Sequence, residues 1–285
     1  MSSFALKTKE SLCELNVKGL CCKKAQLFGM LLYGAKQGID EMVLYNESET
    51  VISLVERFII ECYGGECEIE YHANGFILTL KDKAAISEMM RDISKKERCS
   101  KCDNHTLRGV FLSCGTLNDP EKSYRLELKS MRKFEDITSI LESISVNYKT
   151  TVRDGYNIVY IKESESIEDV LNYIGASGAA FEIMNTKITK EIRNGINRAN
   201  NCDTANLSKA IKASKKHIDA IKKLKNENRL GMLPENIRIT AELRLENPEV
   251  SLNELAEMHE PKITKSGLNH RLSKIIEFAD QKEEE

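Results

Sequence analysis

The chain has 285 residues, of which 41% are hydrophobic and only 4 are proline, so it can bury real cores and is not a disordered chain. This length predicts about two domains. No apolar run approaches the ~20 residues that a membrane span needs, and the N-terminus lacks the apolar core of a signal peptide. We therefore expect a cytoplasmic protein with no membrane partner. An odd number of cysteines, 9 in all, fits reduced thiols better than a disulfide framework.

The net charge of −2 conceals a segregation of charge along the chain. Residues 1–186 carry 23 basic and 28 acidic side chains, residues 187–229 carry 12 and 4, and residues 230–285 carry 7 and 12. A basic segment of this kind is what a polyanionic partner needs. A solvated helix face would have the same composition, so charge alone does not establish such a partner.

The first two thirds of the chain contain the same series of predicted helices and strands twice. Each copy reads as a glycine-containing apolar helix, a strand, an amphipathic helix, a pair of strands and a closing helix. The copies cover about residues 20–95 and 100–178. Two α-β-α-β-β-α halves predict an α+β domain over residues 1–182 with pseudo-two-fold symmetry, although two unrelated α+β units would be the simpler alternative.

The register of the repeat is eighty residues. Gly29 aligns with Gly109, and Asn74-Gly75 aligns with Asp154-Gly155. Both dipeptides are typical of tight hairpin turns. The two glycines fall within the apolar helices, where the lack of a Cβ would let two backbones approach closely. We therefore expect these helices to pack against each other at the pseudo-two-fold axis.

The segments LFGMLLYGA (27–35) and LRGVFLSCG (107–115) resemble the LAGLIDADG helices of homing endonucleases. The resemblance implies that the eighth position of each motif holds a carboxylate, and that the two carboxylates bind the divalent cation that activates water. Here those positions are Gly34 and Cys114, which cannot bind Mg²⁺. This departure from the motif predicts that the protein is not an enzyme. We expect the small residues of the two segments to lie where the helices pack: Gly29, Gly34, Gly109, Cys114 and Gly115.

A functioning metal-dependent nuclease remains an alternative, because acids follow both motifs. Asp40 and Glu41 follow the first, and Asp119 and Glu121 follow the second. They lie several residues beyond the predicted helix ends, in loops, so a displaced acid pair is the less favoured hypothesis.

One C-x-x-C pair, Cys99 and Cys102, lies between the two copies. A structural zinc site needs four ligands, and no second pair with suitable spacing follows. We expect reduced thiols in a connector, and predict neither a metal nor another cofactor.

Residues 183–229 are predicted to form a basic helical linker. Apolar residues recur at three- and four-residue steps and predict one stripe that docks the helix on a domain: Leu207, Ile211, Ile218, Ile221 and Leu224, with Ser214 among them. The basic side chains around it are candidates for phosphate contacts: Arg193, Arg198, Lys212, Lys215 and Lys216.

Residues 230–285 predict three helices. Ser251 and Glu254 form a capping box at the start of the second helix, and Thr264 can cap the third. A short capped helix followed by a longer helix with a polar, basic face is typical of a helix-turn-helix, here about residues 250–283. A plain three-helix bundle is the alternative. The predicted DNA-binding residues are Lys265, Ser266, Asn269, His270, Arg271 and Lys274.

Three long segments resemble the WhiA family of Gram-positive bacteria: residues 115–128 (GTLNDPEKSYRLEL), 193–209 (RNGINRANNCDTANLSK) and 233–275. The resemblance covers nearly the whole chain. It implies an inactive homing-endonuclease domain joined to a helix-turn-helix, and a regulator of transcription that acts in sporulation, cell division or chromosome segregation. Its partner would be double-stranded DNA, which implies a nucleoid-associated protein.

Two alternatives give the N-terminal domain another role. In a ligand-sensing repressor, it would hold a small molecule in its two-fold cleft. In a division scaffold, it would bind a protein partner, and DNA binding would be incidental. The negative charge of residues 1–186 makes this domain a weak DNA binder at best, which leaves both alternatives open.

Overall fold

The structure is a computed structural model that describes residues 3–38, 40–95, 99 and 101–281. The chain forms two compact units, Met1–Glu191 and Ile192–Glu285. No helix in the described part of the chain is both long enough and apolar enough to cross a bilayer.

In the first unit, a helix α1 (Phe4–Cys13) precedes two copies of one series of elements. The first copy consists of α2 (Leu20–Gly34), β1 (Lys36–Gln37), β2 (Met42–Asn46), α3 (Glu49–Tyr63), β3 (Cys67–His72), β4 (Gly75–Leu80) and α4 (Lys83–Lys95). The second consists of α5 (Cys102–Cys114), β5 (Gly115–Leu117), β6 (Leu126–Ser130), α6 (Glu135–Ser143), β7 (Lys149–Arg153), β8 (Tyr156–Ile161) and α7 (Ser164–Ile174).

Each copy builds a four-stranded antiparallel sheet with the same topology. The strand order is β1-β2-β4-β3 in the first copy and β5-β6-β8-β7 in the second. In both sheets alternate residues of the second strand, such as Leu44 and Leu128, are buried against the helices, as period-2 patterning requires. The predicted α+β fold with its internal repeat is confirmed. The sequence did not predict β1 and β5, because strands of two and three residues are too short to show alternation.

The helices α2 and α5 pack backbone to backbone at their glycines. A Cβ at Gly29 would lie 2.2 Å from the carbonyl oxygen of Thr106, and a Cβ at Gly109 would lie 2.0 Å from the carbonyl oxygen of Gln26. Both distances are shorter than any Cβ contact can be, so only glycine permits this approach. Most residues of both helices are buried, and α2 and α5 therefore form the centre of the first unit.

The hairpin prediction is right in the second copy and wrong by one residue in the first. Asp154 and Gly155 have φ values of +54° and +79°, which a type I′ turn requires. In the first copy His72 pairs with Gly75, so the turn is centred on residues 73–74. Gly75 is instead needed inside the strand, since a Cβ there would lie 2.8 Å from the backbone carbonyl oxygen of Asn46.

The second unit is helical. The long helix α8 (Ser177–Asn226) is divided between the two units, and a 3₁₀ turn (Leu230–Met232), α9 (Glu235–Glu246), α10 (Leu252–Glu257) and α11 (Lys265–Asp280) follow it. A separate core holds these helices together. Its buried members include Ile221, Leu224, Ile237, Ala241, Leu255, Leu268, Leu272 and Ile275.

The predicted docking stripe of α8 is only half present. Ile221 and Leu224 are fully buried in the second core, but Leu207 and Ile211 are 62% and 59% exposed. The expectation that the whole stripe docks is therefore wrong, because α9–α11 cover only the last turns of α8, from about Ser214 onward. The preceding residues 196–212 of α8 present their charged and apolar side chains to solvent.

Candidate nucleic-acid interface

Both predicted helix caps of the second unit are formed. The Ser251 hydroxyl accepts a hydrogen bond from the backbone N–H of Glu254 at 3.3 Å, and the Glu254 carboxylate accepts one from the N–H of Ser251 at 3.1 Å. The Thr264 hydroxyl accepts from the N–H of Gly267 at 3.1 Å. Such caps satisfy amide groups that have no partner inside the helix, and they define where α10 and α11 begin.

Helix α11 has one apolar face and one polar face. Leu268, Leu272 and Ile275 are fully buried, which fixes the rotation of the helix about its axis. The opposite face presents exposed side chains from the first three turns: Lys265, Ser266, Asn269, His270, Ser273 and Lys274. Amide, imidazole and ammonium groups are the side chains that contact base edges and phosphates.

Arg271 differs from the other candidates of α11. Its side chain is half-buried, and its Nη1 donates to the backbone carbonyl of Asn236 in the first turn of α9 at 3.1 Å. One of its five N–H groups is thus used inside the protein. The sequence could not show this, because the partner is a backbone atom 35 residues away.

His259 organises the turn between α10 and α11. It is buried, with Nδ1 2.9 Å from the carbonyl oxygen of Leu255 and Nε2 2.9 Å from the Thr240 hydroxyl. The carbonyl can only accept, so Nδ1 carries the hydrogen. This imidazole links α9 to the helix-turn-helix and stabilises a turn that is longer than usual.

The basic residues of α8 divide into two groups. The predicted phosphate contacts are all exposed: Arg193, Arg198, Lys212, Lys215 and Lys216. Lys223 and the nearby Arg229 are instead used inside the second unit. Lys223 donates to the carbonyl of Ala279 at 2.5 Å, and Arg229 donates to that of Phe278 at 3.1 Å. Cations placed there interact favourably with the C-terminal dipole of α11.

The ends of α2 and α5 where a nuclease would hold its cation are closed. A Cβ at Gly34 would lie 2.5 Å from the Cβ of Ser113, so a carboxylate has no room there. The carbonyls of the last turns are already partnered across the repeat. Asn46 donates to the carbonyl of Leu112 at 3.2 Å, and Ser130 donates to that of Tyr33 at 2.7 Å.

Cys114, at the other acid position, holds a neutral thiol. Its Sγ donates to the carbonyl of Val110 at 3.2 Å, and burial raises its pKa to about 12. The half-buried amine of Lys9 lies near this thiol, and burial lowers the pKa of that amine. A lysine beside a neutral thiol is the opposite of the oxygen-rich, anionic pocket that Mg²⁺ requires.

The displaced acids do not converge on a second cation site. Asp40 pairs with Lys83 at 2.8 Å on the surface, and a carboxylate oxygen of Asp119 accepts from the N–H of Glu121 at 2.9 Å. Glu41 is exposed. Over the residues that the structure describes, no group of three or more His, Cys, Asp or Glu ligand atoms gathers there.

The structure brings four cysteines together elsewhere. Cys21, Cys22, Cys99 and Cys102 have all their Sγ atoms within 4.8 Å of one another. The expectation that the C-x-x-C lacks a second pair is wrong, because Cys21 and Cys22 precede it in the chain instead of following it. A signal was present: Cys22 and Cys102 each lie seven residues before the paired glycines Gly29 and Gly109.

This architecture defines a class of protein: a LAGLIDADG-like α+β domain followed by a helix-turn-helix domain. The profile of the WhiA LAGLIDADG-like domain matches residues 41–107 and 103–193, and that of the WhiA C-terminal HTH domain matches residues 196–279. The chain belongs to the WhiA family. It is 33% identical to the "Probable cell division protein WhiA" of Clostridium botulinum, with 98% of each chain covered.

Other relatives agree. The protein of the same description from Ruminiclostridium cellulolyticum is 34% identical, with 98% of this chain and 97% of that one covered. Among solved structures, full-length DUF199/WhiA from Thermotoga maritima has a similar fold, with a TM-score of 0.61 at 22% identity and 98% of each chain covered. The N-terminal LAGLIDADG domain of DUF199/WhiA gives a TM-score of 0.53 at 18% identity, with 61% of this chain and 91% of that one covered.

Proposed function

We propose that the protein binds duplex DNA through α11 and acts, without cleaving DNA, as a regulator in cell division, chromosome segregation or sporulation. The observation that carries this proposal is the polar face of α11, whose candidate side chains are exposed while the opposite face is fixed by the core. The cellular part rests on the relatives, which are described as probable cell division proteins. Such a role places the protein on the nucleoid.

Within α11 the side chains divide by chemistry. Asn269 and His270 are exposed and have the donors and acceptors that read base edges in the major groove. Lys265 and Lys274 are exposed on the same helix and provide point charges for phosphates. Arg271 keeps donors beyond the one bound to Asn236, so we assign it a positioning role and, at most, a single base contact.

The exposed basic residues of α8 extend the charged surface. Arg193, Arg198, Lys212, Lys215 and Lys216 have no ion-pair partner among the described residues. Each phosphate that they neutralise would release counterions and steepen the salt dependence of binding. Their contribution is to affinity for any sequence, whereas that of Asn269 and His270 is to sequence preference.

We infer the absence of nuclease activity from the closed helix ends. Gly34 has no space for a carboxylate, and Cys114 holds a neutral thiol beside Lys9. A divalent cation would find no carboxylate at either position, and water would not be activated.

The two sheets of the first unit differ in charge on the face away from the helices. On that face the first sheet carries Glu68 and Glu70 with one base, Lys36. The second sheet carries Lys129, Lys149 and Arg153 with one acid, Glu127. The second sheet is the one that could add phosphate contacts. The domain as a whole is acidic, so we expect any such contacts to be weak.

A second candidate function is ligand or protein recognition by this unit. A groove of about 530 Å³ on the second copy has a mixed lining, with apolar and aromatic residues such as Phe134, Tyr148, Val152 and Ile158 beside polar and charged ones such as Lys133 and Asn157. Its size is within the range of small-molecule sites. A thermal-shift screen of metabolites tests it, and any stabilising compound should lose its effect in Val152→Asp.

The DNA-binding proposal predicts two different mutational signatures. In fluorescence anisotropy with a selected duplex and an unrelated one, His270→Ala should weaken only the selected duplex, by about 1–3 kcal/mol. Lys274→Gln should weaken both and reduce the slope of log K against log salt by about 1.

Lys7→Gln is the control, because it removes the same charge from an exposed position of α1 in the first unit. If His270→Ala and Lys274→Gln behave like Lys7→Gln on both duplexes, α11 is not the DNA-binding element.

A further inference from the structure

The four clustered cysteines lie at the N-terminal ends of the two central helices. Cys21 and Cys22 are in the first turn of α2, Cys102 is the first residue of α5, and Cys99 lies three residues before it. The Sγ of Cys99 is 3.6 Å from that of Cys22 and 3.6 Å from that of Cys102. The thiols of both copies therefore meet at one point.

These distances fit one tetrahedral ion. Thiolates bound to Zn²⁺ at about 2.3 Å lie about 3.8 Å apart, as the edges of a tetrahedron. A disulfide would bring two sulfurs to about 2.05 Å. An iron–sulfur cluster spreads its cysteines over several irons, so its sulfurs would be further apart than those around a single ion.

Solvent access and backbone N–H groups at the cluster suit a metal ion held by these thiols. Cys22 and Cys102 are buried, while Cys21 and Cys99 are exposed. An ion from solvent can therefore meet the two exposed thiols first and then bind the two buried ones as well. The backbone N–H of Cys99 donates to the Sγ of Cys102 at 3.3 Å. The N-terminal dipoles of α2 and α5 both act at the cluster, and a helix N-terminus stabilises a thiolate.

We propose that Cys21, Cys22, Cys99 and Cys102 bind one structural Zn²⁺ ion that ties the beginning of α2 to the beginning of α5. Four protein ligands leave no open position, so the ion is structural and not catalytic. It cross-links the two copies of the repeat seven residues before the Gly29–Gly109 contact, at the ends of the helices away from Gly34 and Cys114. The site is independent of DNA binding by α11.

The test is the metal content of the full-length protein, purified in reductant without chelator. Mass spectrometry should find about one zinc per chain, and cobalt exchanged into the site should give the visible bands of a tetrahedral thiolate complex. Cys22→Ser and Cys99→Ser should both lose the metal and the cobalt spectrum. Cys13→Ser, buried like Cys22, and Cys202→Ser, exposed like Cys99, should keep both.

A measurement on the wild-type chain guards against variants that fail to fold. In a stepwise titration with a mercurial, one zinc should be released as four thiols exchange their bonds to zinc for bonds to mercury, and chelation should lower the melting temperature of the wild type. Metal-free protein that takes up no cobalt would overturn the proposal, as would iron in place of zinc. Equal zinc in Cys22→Ser, Cys99→Ser and their controls would do the same, and so would a mass that reveals a disulfide within the cluster.

Discussion

His217 is a buried imidazole beside a guanidinium. It is 9% exposed, and burial, with a smaller effect from Arg244, lowers its pKa. In the unfolded chain the group titrates near its usual value of about 6.5. As the pH falls through that value, His217 binds a proton in the unfolded state but stays neutral in the folded state. The free energy of unfolding therefore decreases toward acid pH.

His217→Gln removes this titration and should change the pH dependence of stability. We expect the melting temperature of the wild type, relative to that of the variant, to fall between pH 7.5 and pH 5.5. Differential scanning fluorimetry of both full-length proteins measures it, and all other titrating groups cancel in the comparison. A difference in melting temperature that stays constant, or that grows in favour of the wild type, would show that His217 is not held neutral by burial.

The sequence predicted which side chains are buried or exposed where this depends on helical periodicity alone. The exposed face of α11 follows from the spacing of Leu268, Leu272 and Ile275, which are indeed buried. It could not predict the contact of Arg271 with a backbone carbonyl or the bridging role of His259. Those depend on how separate helices pack, which local patterns do not encode.

Among the elements, the contact of α2 with α5 is the most demanding. A Cβ on Gly109 would lie 2.0 Å from the carbonyl oxygen of Gln26, and no side-chain rotation can relieve a clash between Cβ and backbone. The two helices would have to separate and lose part of the core that they share. Each glycine is thus required by the other helix and not by its own.

Gly109→Ala should therefore lower the free energy of unfolding of the first unit by about 1–3 kcal/mol. Gly178→Ala is the matched control, because it lies in a helix of the same unit with nothing within 4 Å of its Cβ. There alanine should be neutral or stabilise by up to about 1 kcal/mol. Urea unfolding measures both, and equal effects of the two variants would contradict the close approach of α2 and α5.

The element series itself was predictable, because the eighty-residue repeat states it twice. What the sequence missed has a physical origin in each case. Gly75 was assigned to a turn, whereas it lies in β4 where a Cβ would come 2.8 Å from the backbone carbonyl oxygen of Asn46. The cysteine cluster was missed because Cys21 and Cys22 lie far before the C-x-x-C in the sequence. Only the pseudo-two-fold packing brings Cys22 close to Cys102, eighty residues later.

The whole molecule separates its features between two units. The acidic first unit has a LAGLIDADG-like fold whose two central helices end at Gly34 and Cys114. The second unit carries the exposed polar face of α11 and the basic residues of α8. We propose that DNA is recognised by the second unit and is not cut by the first.

Selection from sheared genomic DNA by the full-length protein in the presence of Mg²⁺ tests this claim most directly, with sequencing of the bound fragments and of their ends. We expect enrichment of intact fragments that share a motif, and loss of that motif when the double variant Asn269→Ala, His270→Ala is used. New ends at fixed positions within the enriched sites would reveal a nuclease and contradict the inference from Gly34 and Cys114. Enrichment of the same motif by the double variant would show that sequence is read by another surface.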